Sequence, residues 1–169
     1  MVNNIENKMR ELANKIHYKF TIINNLAEAM NSTKIVVPGK SKKKKEYSNQ
    51  ALATVGDSSL KALIADDLYK NGIKTKGQIT KYKIELENNK TLSDIVIKEG
   101  IINFAYNDKH FYSKNNPQHE MVASSKHDTY LEAIVGAVFH DGGFDKTRQW
   151  FNIWLNPLLK KYRKKEEVK

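Results

Sequence analysis

The chain has 169 residues, 40% of them hydrophobic, which suits one domain with a real core and lies far above the composition of a disordered chain. It contains no cysteine, which excludes a disulfide framework, a thiolate zinc site and a thiol nucleophile, and no apolar run approaches the ~18 residues of a membrane helix. The formal net charge of +10 is confined to two tracts, Lys40, Lys42, Lys43, Lys44, Lys45 and Lys160, Lys161, Arg163, Lys164, Lys165, outside which bases and acids balance. Such tracts fit a polyanion partner, nucleic acid first, against the alternative of a solvated loop and a basic tail. The charged N-terminus has no apolar signal core, so a soluble, cytoplasmic protein without a membrane partner is expected, with an organelle left open.

In chain order, Ile5, Met9, Leu12 and Ile16 recur at helical spacing, and Ile22, Ile23, Leu26, Ala27 and Met30 give a second stripe. Pro38-Gly39 and the lysine tract mark residues 33–48 as an exposed basic loop. A long helix is predicted from Asn49 to Tyr69, closed by Asn71-Gly72. Further helices are predicted over Thr80–Leu86 and Leu92–Glu99, the second closed by Gly100. Residues 101–125 read as a loop, Thr129–Phe139 as an apolar helix stopped by Asp141-Gly142-Gly143, and Asp145 onward as a last helix with Trp150, Phe151 and Trp154 in the core or at a dimer contact. No strand-type alternation persists and there is no repeat, so the class is all-α.

Two acids stand inside apolar helical stretches: Asp57 in Leu52-Ala53-Thr54-Val55-Gly56-Asp57, and Glu132 in Leu131-Glu132-Ala133-Ile134-Val135-Gly136. Each lies near a glycine that permits close helix packing. Two carboxylates brought together between packed helices repel, and a hard divalent cation relieves the repulsion. The alternative is that each acid caps a backbone or pairs with a lysine. His110, His119, His127 and His140 match no zinc spacing and read as exposed polar residues.

Three stretches together resemble the ribonuclease III catalytic domain. Ile16-His17-Tyr18-Lys19-Phe20 with Leu26-Ala27-Glu28-Ala29-Met30 looks like the family's opening "LGYxF…LLxxAL" pair. Residues 49–60, NQALATVGDSSL, are similar to the signature "NERLEFLGDxxL", and residues 132–144, EAIVGAVFHDGGF, to "EAxIGAxYxDGGF". Between them, Gly77-Gln78-Ile79-Thr80 and Asn88-Asn89-Lys90-Thr91-Leu92 echo "GxLT…NxxLA". The resemblance implies a helical endonuclease domain that acts as a homodimer on double-stranded or structured RNA. It also implies magnesium (or manganese) held by carboxylates of the two central helices. By position, Asp57 and Glu132 carry over as catalytic metal ligands.

The chain departs from the family pattern at four acids, which are Gln50, Ala53, Lys76 and Thr129 here. Asp128, four residues before Glu132 and on the same helix face, offers a further ligand. Leu52-Ala53-Thr54-Val55-Gly56-Asp57 and Thr129 resemble the compact Mini-III branch, which has no separate double-stranded-RNA-binding domain. Two functions stay open: an endoribonuclease with a reduced carboxylate site, or an inactive scaffold that binds structured RNA such as ribosomal RNA. The organisation expected is one ribonuclease III-like domain over 1–160 and a basic tail over 161–169.

Overall fold

The computed structural model describes residues 2–38, 44–108, 110–112 and 127–163. The stripe of Met9, Leu12 and Ile16 is fully buried on the helix Val2–Lys15 (α1), and Leu26, Ala29 and Met30 are fully buried on Ile23–Met30 (α2). The helix Gln50–Lys70 (α3) follows, its N-cap Asn49 buried and donating to the Ala29 carbonyl at 3.0 Å. Two shorter helices, Lys76–Glu87 (α4) and Asn89–Lys98 (α5), are capped by the side chains of Thr75 and Asn88. A 3-10 turn, Ile101–Phe104, leads to Tyr106, whose hydroxyl donates to the Ala27 carbonyl at 2.9 Å.

The central element is the helical run Asp128–Trp150 (α6). Leu131, Ala133, Ile134, Val135, Ala137 and Val138 are all fully buried, so the first half of α6 is enclosed on most sides by α2, α3 and α5. A π-helical turn, Phe151–Leu155, joins it to Asn156–Tyr162 (α7). Trp150 is buried and donates its indole N–H to the Ile16 carbonyl at 2.8 Å, locking the end of α6 to the end of α1. Among the described residues, no helix is long and apolar enough to cross a membrane.

Where α3 crosses α6 the backbones touch. A Cβ on Gly56 would overlap the Glu132 carbonyl oxygen and stand 2.7 Å from the Gly136 amide nitrogen. A Cβ on Gly136 would overlap the Leu52 carbonyl oxygen. Backbone on both sides cannot yield as a flexible side chain would.

Four expectations need correction. The basic loop contains a two-stranded antiparallel sheet, Lys34–Val37 (β1) with Lys44–Tyr47 (β2), in the register Lys34↔Tyr47 to Val37↔Lys44. The β-branched run Ile35-Val36-Val37 favours it, and the lysines of β2 hid the pattern. The helix predicted to stop at Asp141-Gly142-Gly143 breaks at Gly143 (φ +77°, ψ −179°) and resumes at once. The basic tail begins inside α7, which runs to Tyr162. His127 is buried, between the rings of Tyr112 and Tyr130, while His110 and His140 are exposed and His119 lies outside the described residues.

Asp141 ties the two ends of the chain together. Its Oδ1 accepts from the Ile22 amide at 2.8 Å and the Asn25 side chain at 3.1 Å. Its Oδ2 accepts from the Thr21 amide at 2.9 Å and the Tyr18 hydroxyl at 3.1 Å. Burial alone would push this carboxyl up, but the four donors outweigh it and hold its pKa below the ordinary aspartate value. The stability it gives is therefore fully present above the unfolded aspartate pKa and is lost as pH falls through the depressed folded value.

Two outcomes follow for chemical or thermal denaturation. Gly136→Ala lowers stability by about 3 kcal/mol or more, because it forces two helix backbones apart. Asp141→Ala lowers it by about 2 kcal/mol at pH 7 and by progressively less as pH falls below the ordinary aspartate value, where the advantage of the folded carboxylate is lost. A Gly136→Ala variant as stable as the wild type contradicts the close crossing.

Candidate active site

Immediately beside the glycine crossing lies an open cleft of about 350 Å³ lined by Gln50, Ala53, Thr54 and Asp57 of α3, Asp128, Thr129 and Glu132 of α6, and Asn89 at the start of α5. The 3,4 spacing of positions 50, 53 and 57 puts them on one wall, and positions 128, 129 and 132 form the other. Asp57, Asp128 and Glu132 are thus brought to one cavity. Gln50, Ala53 and Thr129 line it too, without charge.

Lys76 does not line the cleft; it sits exposed at the start of α4. Its replacement of an acid therefore adds no positive charge to the lining. Gln50 is turned toward the hairpin, its Oε1 accepting from the Tyr47 amide at 2.7 Å, so β2 is fastened to the cleft's rim.

The charges within the cleft are uneven. Burial raises the Glu132 carboxyl to about 7, and the neighbouring charges of Asp128 and Asp57 add to the rise while Lys61 opposes it. Asp128 is itself buried, its amide donating to Ser93 Oγ at 3.1 Å. Asp57 is more open and receives Lys61 Nζ at 2.9 Å on its Oδ2. Lys61 and Asn89 were missed by sequence reasoning. The i,i+4 acid–base spacing could have flagged Lys61; nothing local marks Asn89.

Asp57, Asp128 and Glu132 offer hard oxygen donors and no soft ones. Among the described residues, no group of three His, Cys, Asp or Glu side chains is arranged to hold a metal ion by itself. Magnesium keeps several waters and takes one or two carboxylates, so Asp57 and Glu132 would be donors of the right chemical kind for it. Glu132, held partly protonated by burial and like charge, is a group that a divalent cation would relieve.

The basic tracts are separated. Lys45 is exposed on β2, and Lys44 lies in the same strand. Lys160 and Lys161 are on α7, with ammonium groups 3.9 Å from Asp67 and 3.6 Å from Glu99, and Arg163 follows, exposed. Asp67 is about 15 Å beyond Asp57 along α3, so the second tract lies toward the far end of that helix, whereas the hairpin adjoins the cleft. Lys40, Lys42, Lys43, Lys164 and Lys165 lie outside the described residues.

The family model for the ribonuclease III domain matches residues 50–143, more than half of the chain. The chain belongs to the ribonuclease III domain family. The match begins at Gln50 on the cleft's first wall and ends at Gly143, the break in α6. A Ribonuclease 3 of Caldanaerobacter subterraneus subsp. tengcongensis is 28% identical over 139 residues, covering 82% of this chain and 58% of that protein. A Ribonuclease 3 of Bdellovibrio bacteriovorus is 30% identical over 112 residues, covering 65% of this chain and 46% of that protein. The chain thus spans about half the length of the curated relatives it matches. Among solved structures, one of the nuclease domain of ribonuclease III from Campylobacter jejuni superposes with a TM-score of 0.66 at 23% identity, covering 89% of this chain and 95% of that one. That structure is described as showing flexibility in a region involved in dimer formation. A second, at 2.2 Å resolution, gives 0.65 at 22%, covering 95% and 97%. At these identities the likeness establishes the ribonuclease III nuclease fold.

The raised Glu132 carboxyl generates a pH prediction. The folded protein binds this proton more tightly than the unfolded chain, so stability falls as pH rises from the ordinary glutamate value toward about 7. Glu132→Gln removes that loss. In EDTA at pH 8 the variant should be more stable than wild type by about 1–2 kcal/mol, discounted for the solvent that reaches the open cleft, with no gain near pH 4.5. Thermal melts across this range check it; a variant destabilised equally at every pH contradicts the buried, crowded carboxyl.

Proposed function

We propose that this domain binds double-stranded or structured RNA and cuts it as a divalent-metal-dependent endoribonuclease with a reduced carboxylate shell. The observation that carries the reading is the gathering of Asp57, Asp128 and Glu132 on one open cleft, with Glu132 crowded and half-buried. Asp57 and Glu132 would hold magnesium or manganese, with Asp128 supporting from the first turn of α6. The bound ion would supply an activated water and steady the leaving 3′ oxygen. The chain's own residues do the rest. Glu132, ionised above about pH 7, and Asp57 present negative oxygens into the cleft, while Thr129, Gln50 and Asn89 line it with neutral polar groups that can orient water. An uncharged Ala53 makes the wall less repulsive to a phosphodiester.

The RNA contacts proposed are the two basic tracts, with the hairpin tract nearest the cleft and an A-form duplex read through its backbone. A homodimer is proposed through the outer face of α3, where Val55 is 41% exposed. Leu60 of the same helix is buried within the protomer and does not belong to that face. The domain organisation proposed remains one nuclease-type unit up to about residue 160.

A second reading, an RNA-binding scaffold without catalysis, is favoured by the lost acids at Gln50 and Ala53 and by the hold of Lys61 on Asp57. A perfect RNA duplex incubated with the pure protein and Mg²⁺ separates the two. Cleavage that EDTA abolishes and that Asp57→Asn lowers by about a hundredfold supports the enzyme. A duplex retained in a binding assay but never cut supports the scaffold.

A further inference from the structure

Lys61 is the strongest unexplained feature of the molecule. Its ammonium donates to Asp57 Oδ2 at 2.9 Å, on the acid that the reading above makes a metal ligand. Other i,i+4 pairs on this surface, such as Lys70–Asp66 at 3.0 Å and Lys98–Asp94 at 3.7 Å, lie away from the cleft and read as ordinary helix pairs. Lys61 differs because its charge also acts on Glu132, across the crossing on α6, and on Glu87, at the end of α4. Its ammonium thus touches one carboxylate, that of Asp57, and its charge is felt by those of two further elements. Glu87 is in turn 3.6 Å from Lys83, so its charge is shared.

We propose that Lys61 is the resident counter-cation of the carboxylate cleft: in the metal-free protein its ammonium occupies the Asp57 oxygen that a divalent cation would take, and the cation must displace it to bind. This deepens the metal-site reading and rests on it. A lysine is suited to the task. It is a point charge on a flexible stem, 47% exposed here, so it can leave the carboxylate for water without disturbing α3. An ammonium and a divalent ion competing for one carboxylate also repel each other, so displacement is all-or-none at that oxygen. Lys61 thereby sets the cation concentration at which the cleft fills. It explains how Asp57, Asp128 and Glu132 coexist on one cavity in the metal-free chain.

The test is a Mn²⁺ titration of the full chain followed by electron paramagnetic resonance, which reads bound against free ion without reference to RNA cleavage. Lys61→Met should tighten Mn²⁺ binding by about two- to fivefold, the effect of removing one competing exposed ion pair. Lys61→Arg, which keeps the charge, should bind like the wild type or more weakly. Asp57→Asn should lose the site in either background. Wild-type and Lys61→Met proteins with equal Mn²⁺ affinity would overturn the proposal and leave the metal site standing, with Lys61 an ordinary helix pair. Weaker binding in Lys61→Met would also overturn it, making the lysine an organiser of the site. Binding in Lys61→Met alone supports it in its strongest form. No binding in either protein overturns both the proposal and the metal reading.

Discussion

The backbones of α3 and α6 touch at Gly56 and Gly136, and the rest of the site depends on that contact. A helix pair normally keeps its axes apart by the bulk of its side chains. Here the Glu132 carbonyl lies where a Cβ of residue 56 would stand, and the Leu52 carbonyl where one of residue 136 would. Asp57 follows Gly56 directly, so the closest point of the crossing is also the point where an acid of one helix is set beside an acid of the other. The apolar side chains of the first half of α6 are fully buried between α2, α3 and α5, and this fixes the crossing against sliding. Packing energy is thus converted into a defined charge arrangement.

That arrangement is unfavourable by itself, and the contrast with Asp141 shows why. Both acids belong to α6. Asp141 receives four donors and its carboxyl is held low; Glu132 is buried beside two other acids and its carboxyl is raised to about 7. The first is an acid spent on structure, joining the α1–α2 connection to the break at Gly143. The second is left crowded, as acids at functional sites commonly are. Lys61 offsets part of that crowding from the Asp57 side. Under the proposed metal reading, a cleft with three carboxylates, one of them partly protonated through burial and another paired with a movable lysine, would exchange a proton and an ammonium for a hard cation.

Much of this was legible in the sequence, for reasons particular to each element. The apolar stripes of α1, α2 and the first half of α6 carried the helical period plainly. The glycines beside Asp57 and Glu132 announced a close approach because nothing else justifies them inside helices. The resemblance then named the acids and their order. The β1–β2 hairpin was not legible, because a strand of Lys44-Lys45-Glu46-Tyr47 has no hydrophobic alternation and takes its pairing from the earlier strand Lys34–Val37. The role of Asp141 was hidden because its donors sit some 120 residues earlier. Lys61 and Asn89 needed the assembled cleft: their relation to Glu132 is set by packing between helices, which no local pattern records. Lys76 shows the opposite error, a position flagged by family pattern that the fold leaves off the cleft lining.

The glycine crossing is held to bring Asp57 and Glu132 together so that one divalent ion can sit between them. Anomalous diffraction from crystals of the protein soaked in Mn²⁺ tests this most directly. A single strong peak within coordination distance of both carboxylates, with the Lys61 ammonium moved off Asp57, is the expected result. A Mn²⁺ peak elsewhere on the surface, with the cleft empty and the Lys61–Asp57 pair intact at saturating metal, would contradict it.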